Sequence, residues 1–148
     1  MAVEELITGS ERLTALFGKW PSFHDAEVLS LRLDRGAVGA GPGPTLDVVL
    51  HAFEITDQVA ADGFLVLRNH VLVHLRFHGV VELELRDFNQ QNSLFWLRIE
   101  DIRAHQLEGI GLQVGLDASF GVGASFECHH AEVVSVLPCD KSGRPLPA

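Results

Sequence analysis

The chain has 148 residues, of which 47% are hydrophobic and 21% are charged, and its formal net charge at pH 7 is −9. This length and composition predict one globular domain with its own hydrophobic core, and they exclude extended disorder. The acidic excess is spread over both halves of the chain, so it disfavours direct binding of nucleic acid. The charge either serves solubility or steers a basic partner towards the protein.

The segment 1–9 contains two acids and no basic residue, which is unlike a signal peptide. No run comes near the roughly 18 apolar residues that a membrane span needs. Cys128 and Cys139 are too few for a disulfide scaffold and lack the spacing of a zinc motif. We therefore expect a cytoplasmic protein with reduced thiols, no membrane partner and no cofactor.

One helix is predicted near the N-terminus, at residues 9–19. Thr8 and Glu11 have the spacing of a capping box, in which each side chain bonds the other residue's exposed amide. Pro21 cannot continue a helix and favours an extended conformation at the residue before it. Apolar residues at helical spacing predict a face that packs on a sheet: Leu13, Leu16, Phe17 and Trp20.

From Glu27 onwards apolar residues alternate with polar ones, which is typical of half-buried strands. The glycine- and proline-rich run 36–44 is predicted to be a hairpin loop. Strands are predicted in the ranges 27–33, 45–56, 64–67, 71–80, 81–86, 94–100, 112–117 and 126–137. Alternation places three residues of the first strand on one face: Leu29, Leu31 and Leu33. Alternation likewise places three residues of the predicted strand 94–100 on one face: Phe95, Leu97 and Ile99.

About eight short strands behind one helix predict an α+β, mostly antiparallel fold with one N-terminal helix. The sheet would be either a sandwich or strongly curled. Residues 1–138 are predicted to form a single globular domain. Residues 139–148 contain prolines and a glycine and are predicted to be a flexible C-terminal tail.

Three histidines, His70, His74 and His78, are four residues apart and would line one face of a helix. Their neighbours predict a strand instead, with four apolar residues pointing inward: Val71, Val73, Leu75 and Phe77. Histidines four apart on a strand lie about 13 Å from each other, which is too far for two ligands of one zinc ion. We interpret all three as polar residues on the exposed face of a strand.

Two short segments repeat the same residues in front of a strand. His24-Asp-Ala-Glu-Val28 matches His129-His-Ala-Glu-Val133 at His, Ala, Glu and Val. The Glu of each segment must be hydrated or bonded to a donor. If the two strands were parallel neighbours, six side chains could form a metal or acid/base site: His24, Asp25, Glu27, Cys128, His129 and Glu132. If the strands are antiparallel or distant, the segments are two similar strand entries, which is the interpretation we favour.

The order of four segments resembles the immunity protein 50 family. These are Trp20-Pro-Ser-Phe-His-Asp-Ala-Glu-Val28, His51-Ala-Phe-Glu-Ile-Thr56, Phe88-Asn-Gln-Gln-Asn92 and a closing Val-Val-Ser-Val strand. The resemblance implies a small bacterial cytoplasmic protein of a polymorphic toxin system. Such a protein catalyses no reaction and protects the producing cell by binding a cognate toxin.

The first hypothesis is therefore an acidic, non-catalytic binding module, and a basic toxin would suit its net charge. The partner-binding candidates come from two of the four segments: Phe23, His24, Asp25, Glu27, Asn89, Gln91 and Asn92. The second hypothesis is a metal-dependent enzyme or small-ligand-binding domain that uses both His-x-Ala-Glu segments. A third is a structural partner within a homo-oligomer.

Overall fold

The computed structural model describes residues 2–39, 41 and 43–147. Met1, Ala40, Pro42 and Ala148 lie outside the described residues, and with them the ends of the predicted domain and tail and part of the predicted loop 36–44. Nine strands and one α-helix form in the described residues, which confirms the predicted α+β class. The strands are β1 Ile7–Thr8, β2 Glu27–Asp34, β3 Thr45–Val59, β4 Leu65–His78, β5 Val81–Arg86, β6 Ser93–Asp101, β7 Leu112–Phe120, β8 Gly123–Cys128 and β9 His130–Pro138. The helix α1 is Glu11–Phe17, and two 3-10 turns lie at Val3–Leu6 and Arg103–His105.

All nine strands belong to one sheet, in the order β1-β9-β4-β3-β2-β6-β7-β8-β5. The described strand pairs are antiparallel except for β1 with β9. β2 and β6 meet through a single register pair, Glu27 with Ser93, so the sheet has a corner there. We call β1, β9, β4, β3 and β2 the first half of the sheet, and β6, β7, β8 and β5 the second half.

The sheet curls so that its two halves face each other. β4 is followed by β5 after two residues, and β8 by β9 after one, although each pair is far apart in the sheet order. The ring of Phe77 on β4 lies edge-on to the ring of Phe126 on β8, with centroids 5.1 Å apart. A strongly curled sheet, one of the two predicted arrangements, accounts for both observations.

The hydrophobic core lies between the two halves. Its first-half residues include the four predicted inward positions of β4, which are all buried: Val71, Val73, Leu75 and Phe77. The second half contributes Leu94, Val114, Leu116 and Phe126. Leu13 of α1 is fully buried. Phe17 of α1 and Trp20, which follows the helix, pack against the core while remaining partly exposed. The predicted packing face therefore holds for these three residues, but it is wrong for Leu16, which is 38% exposed.

The helix is shorter than the predicted range 9–19. Gly18 adopts a left-handed conformation (φ 78°) and its N–H bonds the Thr14 carbonyl, which ends the helix. The predicted capping box is wrong, because Thr8 belongs to β1 and its hydroxyl bonds His130 Nε2 at 2.8 Å. No helix in the described residues is both long and apolar enough to cross a bilayer.

The register shifts at several places in the sheet. Two of these bulges, at which one residue of a strand has no partner opposite it, change faces that alternation predicts. Leu29 is skipped on β2, because Val28 pairs with Leu50 and Ser30 with Val49. Leu29 is consequently 42% exposed. Phe95 is skipped on β6 in the same way, and it is 51% exposed. The predicted faces were therefore wrong for these two residues.

Three predicted strand boundaries also changed. The predicted strands 64–67 and 71–80 are one strand, β4, which passes through a left-handed Asn69 (φ 56°). The predicted strand 126–137 is divided at His129 into β8 and β9, which lie in different halves of the sheet. The break between β3 and β4 is shorter than predicted, so these two strands form one long hairpin.

The C-terminal segment 139–147, predicted to be a flexible tail, closes a hydrogen-bonded turn. Cys139 is buried, and its N–H bonds the His70 carbonyl at 3.1 Å. Asp140 Oδ1 accepts the N–H of Arg144 at 2.9 Å, and the Asp140 N–H bonds the Arg144 carbonyl, also at 2.9 Å. Gly143 lies against the His51 ring, so this turn covers the middle of β3.

Candidate functional site

The turn that leads into β2 holds His24 at the surface. Phe23 and Asp25 both have left-handed backbones (φ 62° and 64°), which cost a non-glycine residue about 1–2 kcal/mol. Burial of Phe23 and two bonds to β6 offset this cost. The Asp25 N–H bonds the Leu94 carbonyl, and the Leu94 N–H bonds the Ala26 carbonyl, each at 2.9 Å. His24 therefore sits on a rigid support.

His24 belongs to a group of five residues that we call the aromatic surface: His24, Asp25, Phe95, Trp96 and the half-buried Asp117. Its ring lies edge-on to the Phe95 ring at 5.4 Å between centroids, and Phe95 contacts Trp96 at 5.6 Å. His24 Nδ1 is 3.2 Å from the Asp25 carboxylate. Trp96 Nε1 donates to Asp117 Oδ2 at 2.7 Å. Phe95 and Trp96 are 51% and 45% exposed, so two large aromatic rings lie side by side at the surface.

The two carboxylates of the aromatic surface, Asp117 and Asp25, differ in the positive charges that they contact. Asp117 accepts a bond from Arg98 Nε at 3.1 Å, and bonding to Asp117 is the main reason why the pKa of the Arg98 guanidinium is raised. Asp25 is half exposed, and the ion pair that it forms in the described part of the chain is with His24. Asp25 is therefore the more available negative charge beside the exposed rings.

Glu27 and Asn92 close the corner between the two halves of the sheet. The Asn92 N–H donates to Glu27 Oε1 at 2.7 Å, and the Asn92 carbonyl accepts the Val28 N–H at 2.8 Å. The Asn92 side chain is buried, and its Oδ1 accepts the N–H groups of Asn89 (2.8 Å) and Val122 (3.0 Å). These two predicted site residues thus bond to each other and to the backbone.

The other predicted partner-binding residues differ in their access to solvent. Phe23 is only 3% exposed. Asn89 and Gln91 are exposed in the loop that leads into β6, and His24 and Asp25 are exposed in the turn before β2. A partner can reach these last four residues on the folded protein.

An open cleft lies beside the aromatic surface, between the α1–β2 connection and the β3–β4 hairpin. Lys19 and His24 line one wall, and Glu54, Ile55 and Arg68 line the other. Arg68 Nε donates to Glu54 Oε1 at 2.6 Å, and this bond is the main reason why the pKa of Glu54 is lowered. His24 therefore belongs both to the aromatic surface and to this cleft.

The second His-x-Ala-Glu segment does not lie beside the first. β2 and β9 are separated by β3 and β4 and run antiparallel to each other. The register pairs place Glu27 level with Leu137, and Glu132 level with Arg32 at the opposite end of β2. The structure thus keeps His24, Asp25 and Glu27 apart from Cys128, His129 and Glu132. The condition for a joint site is not met, and the described residues contain no group of three or more side chains suited to hold a metal ion.

Within the second segment the side chains have structural contacts. Glu132 Oε1 accepts a bond from His78 Nε2 at 2.7 Å. His129 is exposed, and its N–H bonds the His78 carbonyl at 2.8 Å. Cys128 is fully buried, and burial raises its pKa to about 12. It is therefore a protonated thiol and not a thiolate ligand or nucleophile.

The predicted histidine face on β4 exists, but it is half buried and bonded. His74 Nε2 bonds Asp47 Oδ2 at 2.9 Å, and Arg76 binds the same carboxylate through two N–H groups, each at 2.9 Å. Asp47 is 8% exposed, and the Arg76 bonds are the main reason why its pKa is lowered. His70 Nδ1 lies 2.9 Å from His51 Nε2. These contacts join β3 to β4, so the face is a structural network.

Sequence reasoning missed three members of the aromatic surface: Phe95, Trp96 and Asp117. A signal was present, because residues 94–97 are four apolar residues in succession inside an alternating strand. Such a run cannot be buried on one face, so at least one of its members must face solvent. The bulge that exposes Phe95 depends on the partner strand and is not visible in that signal.

Comparison with known families agrees with the family resemblance of the sequence. Residues 9–139 match the model of the family described as Immunity protein 50. The match covers most of the chain, so the chain belongs to this family, and the resemblance seen in the sequence is confirmed. Membership indicates a toxin-neutralising immunity role. No curated protein and no solved structure matches the chain.

Proposed function

We propose that the protein binds and neutralises a cognate basic toxin in the cytoplasm, and that it catalyses no reaction itself. Membership of the Immunity protein 50 family supports the immunity role. The net charge of −9 supports a basic partner, because opposite charges steer the encounter of two proteins. The observation that carries the binding surface is the pair of exposed rings, Phe95 and Trp96, beside His24 and Asp25.

These residues have the properties of an interface centre. Aromatic side chains are enriched among the residues that dominate binding energy, because they bury a large area at little entropic cost. Covering a half-exposed ring such as Phe95 contributes on the order of 1 kcal/mol. The rigid turn around His24 reduces the ordering cost of binding. Asp25 supplies a negative charge at the rim of the same surface.

The remaining predicted residues have supporting places in this proposal. Asn89 and Gln91 extend the surface along the loop before β6. Glu27 and Asn92 hold the corner on which that loop and the turn at His24 rest, and Phe23 anchors the turn from inside. We therefore assign partner contact to the exposed members and support to the buried ones.

Coexpression with the toxin encoded beside its gene tests the proposal. Wild-type protein should protect the cells and form a complex with the purified toxin. Phe95→Ala and His24→Ala should each weaken the complex by about tenfold or more, which corresponds to about 1.4 kcal/mol. Affinity is measured by calorimetry, and circular dichroism checks that each variant is folded.

The chain offers a matched control in His129→Ala. His129 is also an exposed histidine in the same His-x-Ala-Glu-Val pattern, but it lies at the other end of the sheet from Phe95. It follows Cys128, which the register pairs place level with Asp101 at the far end of β6. The control should bind like the wild type. Equal losses for His24→Ala and His129→Ala would refute the proposed surface, and failure of every neighbouring toxin to bind would refute the function.

A further inference from the structure

The β3–β4 hairpin extends beyond the rest of the sheet as a two-stranded arm, residues 53–69. β2 begins opposite His51, and β9 ends opposite Val71, so neither strand flanks the arm. Within the arm the described strand pairs run only between β3 and β4. A two-stranded ribbon is at best marginally stable in water unless its apolar face is covered.

One face of the arm carries an apolar strip of four residues. Ile55 pairs with Leu67, and Val59 pairs with Leu65. Directly paired residues share a face, and Leu65 and Leu67 are alternate residues of β4. All four therefore lie on the same side, although the register of β3 shifts between Ile55 and Val59. They are 40–66% exposed. Exposed apolar residues that are contiguous, and not scattered singly, are typical of interaction sites.

The arm is braced, so the strip is presented in a defined shape. Glu54 accepts bonds from Arg68 at 2.6 Å and from Asn69 Nδ2 at 3.4 Å. The Thr56 hydroxyl donates to the Val66 carbonyl at 2.6 Å. A surface that is already ordered loses less conformational entropy when a partner covers it.

Charge indicates which partner would cover the strip. The arm contains three acids, Glu54, Asp57 and Asp62, and one base, Arg68, which is tied to Glu54. Asp57 and Asp62 form no ion pair within the described residues. A second copy of the same acidic chain would meet like charges here, whereas a basic partner would meet opposite ones.

The arm is also continuous with the surface already proposed. Glu54, Ile55 and Arg68 at its base form one wall of the cleft whose other wall includes His24. A partner seated on the aromatic surface can therefore reach the arm across this cleft. We propose that the arm is a second toxin-contacting element, and that it receives an apolar segment of the toxin that carries Lys or Arg residues. This inference rests on the proposed function.

Two pairs of variants test the arm against a matched location, with the neighbouring gene's toxin as the probe. Asp57→Lys should weaken toxin binding by about tenfold, and mostly at low salt, because it reverses a charge at the contact. Glu84→Lys on β5 makes the same change of net charge on another exposed strand and should weaken binding by less than about threefold. Leu65→Ser should weaken binding by about tenfold, whereas Leu85→Ser, also on β5, should not.

Each outcome decides between alternatives. If the arm variants bind like their β5 controls while Phe95→Ala is weakened, the arm is not a contact and the proposed function stands. If the wild type binds no neighbouring toxin, both proposals fall together. Sedimentation of the protein without toxin tests whether a second copy of the chain covers the strip. If the wild type is a dimer and Leu65→Ser dissociates it, a second copy occupies the strip and the inference is overturned. Thermal unfolding confirms that all four variants are folded.

Discussion

The two His-x-Ala-Glu-Val segments have nearly the same sequence and different environments. At the first, Glu27 accepts the N–H of the buried Asn92 and closes the corner between the halves of the sheet. At the second, Glu132 accepts a bond from the imidazole of His78 on the outer face of the first half. The glutamate at the same position of the pattern therefore accepts a bond from the backbone in one segment and from a histidine side chain in the other.

This difference shows that the repeated pattern predicts the start of a strand, but does not predict which residues surround its side chains. In both segments the apolar residues after the Glu enter the core, with Val28 and Val133 buried. What differs is the pair of neighbouring strands, which are β3 and β6 beside the first segment and β1 and β4 beside the second. The first segment therefore lies beside exposed aromatic rings, and the second lies beside histidines.

The largest expected effect is at the corner held by the first segment. Asn92→Ala should lower the free energy of unfolding by about 3 kcal/mol, because it leaves the buried N–H of Val122 and other backbone groups without a partner. Urea denaturation measures this change. Asn89→Ala is the control, because Asn89 is exposed and contributes its backbone to this network. A loss below about 1 kcal/mol for Asn92→Ala would contradict the structural role of the corner.

A smaller effect separates the two glutamates directly. Glu27→Ala should cost about 1.5 kcal/mol, since the Asn92 N–H that it satisfies belongs to a buried residue. Glu132→Ala should cost about 0.5 kcal/mol, because the partly exposed His78 can bond to water instead. Thermal unfolding of both variants, with Glu84→Ala as a surface control, measures the difference. Equal costs would remove the proposed distinction between the segments.

The smallest effect concerns pH at the second segment. Burial, followed by the nearby His78, lowers the pKa of His130, while Glu132 acts in the opposite direction. Below the ordinary histidine pKa of about 6.5 the unfolded chain therefore binds more protons than the folded one. Stability falls as the pH drops from there through the folded-state pKa of His130.

His130→Gln should reduce this acid sensitivity between pH 7 and pH 5, by less than about 1 kcal/mol. Some pH dependence should remain, because burial also lowers the pKa of His51. The measurement is urea denaturation of variant and wild type at pH 5, 7 and 8. Identical pH dependence of the two proteins would contradict the assignment.

Much of the fold could be predicted because the determining patterns are local. The change from helical spacing to alternation at Glu27 and the inward residues of β4 both follow from residues a few positions apart. The bulges at Leu29 and Phe95 could not be predicted, because a bulge is defined by the strand opposite. Each bulge moved the faces of a strand, and the one at Phe95 helped to create the aromatic surface.

The candidate site, like the fold, could be predicted only where it depends on neighbouring residues in the sequence. The segment from Trp20 to Val28 indicated both the family and the exposed His24 and Asp25, since it combines a helix stop, a strand entry and polar residues in one run. The partners of that segment come from β6 and β7, about 70–90 residues further along the chain. No local pattern links Phe95 or Asp117 to His24.

By itself the sequence determined the α+β class, the acidic charge, the family and the positions of most strands. These depend on composition and on periodicity, which are read along the chain. Only the tertiary structure decided that the two His-x-Ala-Glu segments lie apart, that Glu27 and Asn92 bond to each other at the corner of the sheet, and that the hairpin 53–69 projects beyond the sheet. The physical reason is that strand neighbours and registers are set by packing between distant residues, whose energies no local pattern contains.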